Sequence, residues 1–406
     1  MTNSPEQSSP VNNGPLAGIR VLELGSLIAG PFASRMLGEF GAEVIKVETP
    51  GTGDPIRKWR VLHEGNSLWW AVQARNKKSI TLNLKAEEGL AVLRKLIESA
   101  DMLVENFRPG QLEKWGLSPE QLQALNPGLI VVRLSGYGQT GPYKDRPGFG
   151  AIAESIGGMR FLSGDTDRPP VRVGISIGDS LAGLHAVIGA LMALQHRHKT
   201  GKGQVVDVAL YESVFNMMES LLPEYDFAGV VRKRSGASLP GIVPSNTYTC
   251  GCGGFIVIGG NGDAIFKRLM IAIGRSDFAE NPDMASNDGR VRHTELIDDT
   301  IAQWCKERSI DEALEVLEKA DVPVSKIYSI EDIVHDPQFA ARGMIEEHAF
   351  GEDRTLKVPG IVPKLSDTPG QTRWLGPKLG EHNAQVLEGL GYSAEEIQRM
   401  VEDGVI

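Results

Sequence analysis

Ile19-Arg-Val-Leu-Glu-Leu-Gly-Ser-Leu-Ile-Ala-Gly-Pro-Phe-Ala-Ser-Arg-Met-Leu-Gly-Glu-Phe-Gly-Ala-Glu-Val-Ile-Lys-Val-Glu48 is the stretch that decides the fold. Ile19 to Leu24 is a short apolar run stopped by Gly25, which reads as a strand. Gly30 to Glu39 reads as a helix, with Pro31 tolerated in the first turn because the amide it lacks has no intrahelical partner there. Ala42 to Glu48 is a second run of strand length. Strand, helix, strand makes a βαβ unit, so the two strands run parallel through a right-handed crossover.

The pattern repeats outward. Ser79 to Asn83 reads as a strand, Glu87 to Glu98 as a helix, Asp101 to Glu105 as a strand, Pro119 to Ala124 as a short helix and Leu129 to Ser135 as a near-continuous apolar strand. Such runs suit a parallel sheet buried on both faces, so the first 200 residues read as a doubly wound α/β domain. A helix from Ser180 to Gln195 ends in a basic turn, Arg197 to Gly203; Gln204 to Leu210 reads as a strand and Glu212 to Leu222 as a Met-rich helix. Residues 225–255 are rich in Gly, Ser, Pro and basic residues and read as a linker and a hairpin. Phe255 to Ile258 then leads into Gly259-Gly-Asn-Gly262, and helices follow over about 265–320. Asp321 to Tyr328 and Ile330 to His335 form a connection, strands return near 345–360, and a last helix spans Ala394 to Glu402.

The chain has 406 residues, 41% of them hydrophobic and 23% charged, with a net charge of −10. That is an ordinary globular composition of two or three domains, which excludes a disordered chain, a fibre and a coiled coil. A nucleic-acid binder would carry a basic surplus. Three cysteines (Cys250, Cys252 and Cys305) make no disulfide framework, and Cys250-x-Cys252 without a Cys-x-x-Cys pair makes no zinc site. Residues 1–14 lack the basic start and apolar run of a signal peptide. The longest apolar stretch, Leu181 to Leu194, is broken by His185 and is shorter than the roughly 20 residues of a membrane span. A cytoplasmic protein with no nucleic-acid, membrane or metal partner is expected.

Five features carry candidate chemistry. Gly25-x4-Gly30 with Glu48 beyond it is either a tight βα turn or the start of a nucleotide crevice in which Glu48 takes a ribose hydroxyl, but the spacing is not G-x-G-x-x-G. Val171-Arg-Val-Gly-Ile-Ser-Ile-Gly-Asp179 places one carboxylate after an apolar strand and at the head of an apolar helix. Asp179 is either a helix N-cap or an exposed nucleophile, kept ionised by the helix N-terminus, with Gly178 allowing an unusual backbone or a close approach. Gly259 to Gly262 is a plain loop or a mobile cover that brings amides to a ligand. Arg57/Lys58/Arg60, Arg75/Lys77/Lys78, Lys144/Arg146 and Arg232 to Arg234 are solvated faces or anion contacts, and Trp59, Trp69 and Trp70 are core or pocket wall. No P-loop and no His-Glu-x-x-His occurs.

Together these motifs resemble the class III coenzyme A transferases, the family of formyl-CoA transferase and carnitine CoA-transferase. The resemblance rests on Leu22 to Pro31, Gly41 to Glu48, Gly51-Thr-Gly-Asp54, Asn76-Lys-Lys-Ser79, Val104 to Gly110, Gly136 to Pro142, Gly178-Asp179, Thr200-Gly-Lys-Gly-Gln204 and His335-Asp-Pro337. It implies an α/β fold: a large Rossmann-like doubly wound domain formed by both chain ends, plus a smaller middle α+β domain. The expected parts are a disordered tail (1–14), the large domain (15–220), a linker (221–240), the small domain (241–325), a second linker (326–345) and the returning segment (346–406). The implied assembly is an interlocked homodimer, or one with a paralogous subunit.

The resemblance makes Asp179 the catalytic residue, which forms an acyl anhydride and then an aspartyl-CoA thioester; no permanently bound cofactor is implied, and the coenzyme A thioester is the substrate. It assigns CoA binding to Ile28, Ala29, Leu82, Asn83, Lys85, Asn106, Phe107, Arg108 and Lys114, and a glycine loop to Gly259, Gly260, Asn261 and Gly262. Trp59, Trp69, Arg75, Arg146, Phe149, Gly150 and Glu154 form the expected acceptor wall, with Arg75, Arg146 and Arg160 as donors to a free distal carboxylate. The family also holds α-methylacyl-CoA racemases, which need a second acid or base opposite the partner carboxylate; Phe149 and Gly150 supply none. Arg146-Pro-Gly-Phe-Gly-Ala-Ile-Ala-Glu154 looks like the branch that moves CoA from succinyl-CoA to C4–C5 dicarboxylates of the malate, itaconate, mesaconate or glutarate type, ahead of oxalate or carnitine.

Overall fold

The computed structural model describes residues 14–352 and 354–406; residues 1–13 of the expected tail lie outside them. The chain divides into two compact units. The first holds the described residues up to Met159, Val173–Pro223 and Ala341–Ile406; the second holds Arg160–Arg172 and Glu224–Ala340.

The first unit is built on six parallel strands: β1 (Arg20–Glu23), β2 (Glu43–Glu48), β3 (Lys77–Thr81), β4 (Met102–Glu105), β5 (Ile130–Ser135) and β6 (Val205–Ala209), in the order β3-β2-β1-β4-β5-β6. Helix α1 (Ala29–Glu39) joins β1 to β2, which pair from Arg20 opposite Glu43 to Glu23 opposite Lys46. One apolar layer (Val21, Val44, Ile130 and Val132 with Ala33 and Leu37) covers one face, and another (Leu22, Ile45, Leu103 and Val131 with Leu93 and Leu96) covers the other. Neighbouring strand residues thus serve opposite layers, as a sheet buried on both faces requires. The chain winds outward from β1 in one direction and restarts from β4 in the other. A crevice therefore opens beyond the carboxyl ends of β1 and β4, where such sheets take ligands.

Several boundaries differ from the sequence reading. Strand β3 begins two residues early, after the left-handed Asn76 (φ 61°). The helix expected at 180–195 is α2 (Ile177–Thr200), and the basic residues Arg197, His198 and Lys199 form its last turn rather than a connection. Cations favour that end of the helix dipole, and Gly201 closes it at φ 74°. At 24 residues, with mean hydropathy 1.6 over its most apolar 18, α2 is long and apolar enough to cross a membrane, contrary to the expectation drawn from Leu181 to Leu194. Its small-residue face is buried: Ala182, Ala186, Ala190 and Ala193 lie in the core, and a Cβ on Gly189 would stand 2.5 Å from Val206. No strand forms at 171–176, where Val171, Val173 and Ile175 are exposed. The Met-rich stretch breaks into helices Leu210–Phe215 and Leu221–Ala228, with Glu219 left-handed between them, so the expected 221–240 linker begins as a helix.

The last 66 residues return to the first unit, Ala341 onward. They cover the open edge of β3: the Asn76 amide donates to the Trp374 carbonyl (3.0 Å), the His382 amide to the Ser79 carbonyl (2.9 Å) and the Thr81 amide to the Asn383 side chain (2.8 Å). An exposed edge strand is thereby closed.

The second unit is α+β. Its antiparallel strands Ser245–Thr249, Phe255–Gly259 and Val324–Lys326 form one sheet with Phe255–Gly259 central, packed with Phe266, Leu269, Ile297, Ile301 and Trp304. Two boundaries move. Val324–Lys326 is sheet, not the lead into a linker. Residues 160–172 join this unit, because the Gly236 amide donates to the Gly164 carbonyl and Arg234 to the carbonyls of Asp165 and Phe161.

Candidate active site

The β1–α1 turn, Gly25 to Ile28, lies at the crevice. Asn106, just past β4, clamps it: its Oδ1 accepts from the Ser26 amide (2.8 Å) and its Nδ2 donates to the Ser26 carbonyl (2.8 Å). A Cβ on Gly25 would come 3.0 Å from Asn106 Oδ1, so the closeness of the two loops needs glycine there. Three cavities run along this crevice. One of about 340 Å³ is lined by Gly25, Thr49, Leu82, Asn83, Lys85 and Phe107. The next, about 170 Å³, is lined by Ser26, Ile28, Ala29, Asn106, Phe149 and Asp179. The third, about 150 Å³, has Asn106, Arg108, Lys144, Arg146 and Phe149 in its wall. Shared walls at Ser26, Asn106, Phe107 and Phe149 make them one groove.

Asp179 stands half-buried in the first turn of α2. The N-cap is Ser176, so the capping reading of Asp179 does not hold. Its carboxylate lies across the backbone of Gly150: a Cβ there would sit 2.1 Å from Asp179 Oδ2. Gly178 is there for close approach, since a Cβ on it would meet the Gly150 carbonyl at 2.9 Å and Glu154 Cγ at 3.3 Å. Gly136 and Gly148 also meet backbone to backbone, with a Cβ on either falling 2.8 Å from the other's Cα. Around Asp179, then, Gly136, Gly148, Gly150 and Gly178 let main chain pack directly on main chain or on the carboxylate.

Ile28, Ala29, Asn106 and Phe149 therefore share a cavity with Asp179, Gly150 lies against it, and buried Glu154 follows one turn later on helix Gly150–Ile156. Leu82, Asn83, Lys85 and Phe107 line the larger cavity, and Arg108 and Arg146 the third, where Lys144 joins them. Lys114 is exposed at the end of the single helical turn Gln111–Lys114 and lines none of the three. Trp59 and Trp69 pack on each other, centroids 5.9 Å apart, with Arg60 over Trp69; they line none of these cavities.

Arg75 is a correction. It is 2% exposed, its Nε bonds Glu39 at 2.6 Å and its Nη1 the Pro359 carbonyl at 2.6 Å, so it cannot receive a substrate carboxylate. Glu48 is another: Arg57 holds both its oxygens (2.7 and 2.8 Å) and Ser79 donates to it (2.6 Å), which leaves no place for a ribose. Burial would raise its carboxyl, but Arg57 and Lys46 outweigh that and hold it below the usual range. Arg160 belongs to the second unit.

The Gly259–Gly262 run also lies in the second unit and is anchored rather than loose. Gly259 and Gly260 donate to the carbonyls of Pro323 and Pro244, and the fully buried Arg290 donates to the Asn261 carbonyl at 2.6 Å. Gly260 is required by packing, since a Cβ would fall 2.6 Å from Leu269.

Residue-level reading missed a buried charge cluster under the β1–α1 turn. Lys46 Nζ contacts Glu23 Oε1 (2.7 Å), Asp54 Oδ2 (2.9 Å) and the Gly25 carbonyl (2.8 Å). Burial would lower this ammonium; Glu23, Asp54 and Glu48 hold it above its ordinary value. Beside it, burial brings the Lys77 amine down to about 8 although Glu23 Oε2 lies 2.6 Å away. The available signal was a charged residue inside an otherwise apolar strand, Val44-Ile-Lys-Val47.

Residues 16–383 match the family model described as CoA-transferase family III. The chain is 48% identical to the succinyl-CoA--D-citramalate CoA-transferase of Chloroflexus aurantiacus, covering 97% of this chain and 98% of that one. It is 42% identical to the beta subunit of the succinyl-CoA--L-malate CoA-transferase of the same organism, over 97% and 98% of the two chains. Among solved structures, a CAIB/BAIF family protein from Brucella suis matches with TM-score 0.81 and 34% identity, covering 93% of this chain and all of that one.

Proposed function

Taking as premise that this chain belongs to CoA-transferase family III and is a CoA-transferase, we propose that it moves coenzyme A from succinyl-CoA to a C4–C5 dicarboxylic acid through covalent intermediates on Asp179. The observation that carries the reading is the placement of Asp179 at the head of a 24-residue helix, against the bare backbone of Gly150, in the crevice at the sheet's switch point. An ionised carboxylate is favoured at that helix end.

The Asp179 carboxylate attacks the thioester carbonyl and expels CoA thiolate, leaving a mixed anhydride of Asp179 and succinate. The thiolate attacks the aspartyl carbonyl and releases succinate, leaving an aspartyl-CoA thioester. The acceptor carboxylate attacks that thioester and expels the thiolate; the thiolate then takes the acceptor's acyl group and frees Asp179. Each step exchanges one activated carboxyl for another, so the chemistry itself calls for no metal or redox cofactor. The groove offers the nucleotide and pantetheine the wall from Leu82 to Lys85, with Phe107. Lys144 and Arg146 are the groove's donors for the acceptor's distal carboxylate, and Arg108 stands between them and the CoA wall.

The acceptors named for the two relatives, D-citramalate and L-malate, are both 2-hydroxy dicarboxylates, and this supports a C4–C5 acceptor here. Racemisation is disfavoured because the space beside Asp179 where a second acid or base would stand is held by Gly150. The assembly we propose is a dimer of a cytoplasmic protein, supported by the apolar residues Leu184, Ile188, Leu191 and Met192 that α2 leaves exposed.

Succinyl-CoA incubated with D-citramalate, L-malate, mesaconate, itaconate, glutarate and oxalate, and followed by mass spectrometry, tests the reading. New CoA esters are expected from the C4–C5 acids and none with Asp179→Ala. No ester from any acid, or full activity in Asp179→Ala, would sink it.

A further inference from the structure

The backbone of the Gly25–Ile28 turn is held by side chains, most of them buried. Lys46 donates to the Gly25 carbonyl (2.8 Å), Asn106 takes both polar groups of Ser26, and Gln73 donates to the Ile28 carbonyl (3.0 Å). Leu27 is the tightest point. It is a γ-branched residue at φ 67°, a left-handed conformation that costs energy in any residue with a Cβ. Its amide donates to both oxygens of Asp54, at 3.2 Å each.

Asp54 is itself fixed from three sides. It is 3% exposed, its own amide donates to Glu48 Oε2 (2.9 Å), and Oδ1 accepts from the Ile56 amide (3.0 Å). Its charge is met by Lys46 at 2.9 Å, and Lys46 is in turn bonded to Glu23. The strained Leu27 and its neighbours Ser26, Ile28 and Ala29 line the cavity that holds Asp179. Asp54 also caps the 3-10 helix Pro55–Lys58, and the same carboxylate reaches the strained Leu27 amide in the ligand-facing turn.

We propose that Asp54 and Lys46 form a positioning pair for acyl transfer: Asp54 holds Leu27 in its left-handed conformation and so sets the wall opposite the Asp179 carboxylate. The inference rests on the role given to Asp179 above. Both residues also line the larger cavity given above to CoA, and neither lines the one that holds Asp179; their effect on acyl transfer runs through the turn, and misplacing that wall by about 1 Å costs turnover on the order of a hundredfold at most.

The test is a double-mutant cycle on the full chain, with succinyl-CoA and whichever acceptor the panel identifies. Asp54→Asn keeps an acceptor oxygen for the Leu27 and Ile56 amides but loses the charge that Lys46 holds in place. It is expected to lower kcat about tenfold with KM for succinyl-CoA within about twofold. In a Leu27→Gly background, where glycine enters the left-handed region without a clamp, the same change should cost less than about threefold. Equal losses in the two backgrounds, or an unchanged kcat in Asp54→Asn, overturn the proposal. Asp179→Ala runs alongside: if it stays active, the reading of Asp179 falls, whereas an inactive Asp179→Ala beside a fully active Asp54→Asn removes only the positioning pair. Should the variants not fold, hydrogen exchange on the unsubstituted protein decides. The Leu27 amide should be protected at least about tenfold relative to an exposed turn, and free exchange overturns the proposal.

Discussion

Gly150 shows what a single residue contributes to this site. Its Cα is the floor on which the Asp179 carboxylate rests, and one added methyl would stand 2.1 Å from Oδ2. The carboxylate is the movable partner, so Gly150→Ala is expected to fold normally but to turn Asp179 away from its present position. A nucleophile displaced by about 1 Å loses on the order of a hundredfold in rate. Steady-state kinetics with a circular-dichroism control checks this; full kcat in the Gly150→Ala variant would mean that Asp179 does not act from that position. Arg75 makes the opposite point. By residue type it is a carboxylate donor, but Glu39 and the Pro359 carbonyl already engage it.

At the scale of elements, strand β3 depends on a segment some 300 residues further along the chain. The Ser79 amide donates to His382 Nδ1 at 3.2 Å, which requires that nitrogen to be unprotonated. Burial, assisted by Lys78, holds the His382 imidazole below its ordinary value of 6.5, with Glu381 opposing. The folded state therefore binds this proton less readily than the unfolded chain. The contribution is fully present above pH 6.5 and is lost as pH falls below it. Thermal melts between about pH 7.5 and 5 should show stability falling with pH, and a smaller fall in His382→Phe. An identical pH dependence in the variant would show that the clasp does not titrate. Helix legibility follows the same logic of local against distant partners. Glu87–Glu98 is readable to the residue because an apolar stripe, acidic first turn and basic last turn lie within it. Helix α2 reads short from sequence because its buried face is Ala and Gly, with little periodic contrast to show where it starts.

For the molecule as a whole, a net charge of −10 is compatible with an anionic substrate because some basic residues of the first unit are held in internal ion pairs while others face the groove. Lys46, Arg57, Arg75, Lys77 and Arg133 are ion-paired with Glu23, Glu39, Glu48 and Glu105 inside the first unit, while Lys85, Arg108, Lys144 and Arg146 face the groove. The exposed apolar side of α2 also belongs to this scale. Ile188 and Met192 join Phe215, Met218 and Leu222 around a further cavity of about 660 Å³, and an apolar patch of this kind marks an association surface. Ile188→Glu together with Met192→Lys should convert the proposed dimer to monomers in sedimentation velocity. An unchanged dimer would move the interface elsewhere, and a monomeric unsubstituted protein would remove it.

The parallel α/β sheet and the candidate nucleophile follow from the order of amino acids alone. Strand and helix periods are local, and a lone carboxylate between Gly178 and an apolar helix is visible without coordinates. Which charged residues remain available, why residue 150 has no side chain and what holds Leu27 in place emerge only when the chain is folded. Those outcomes depend on partners distant in the chain — Glu39 for Arg75, Asp179 for Gly150, Asp54 for Leu27 — and burial with its pairings exists only once the strands are side by side.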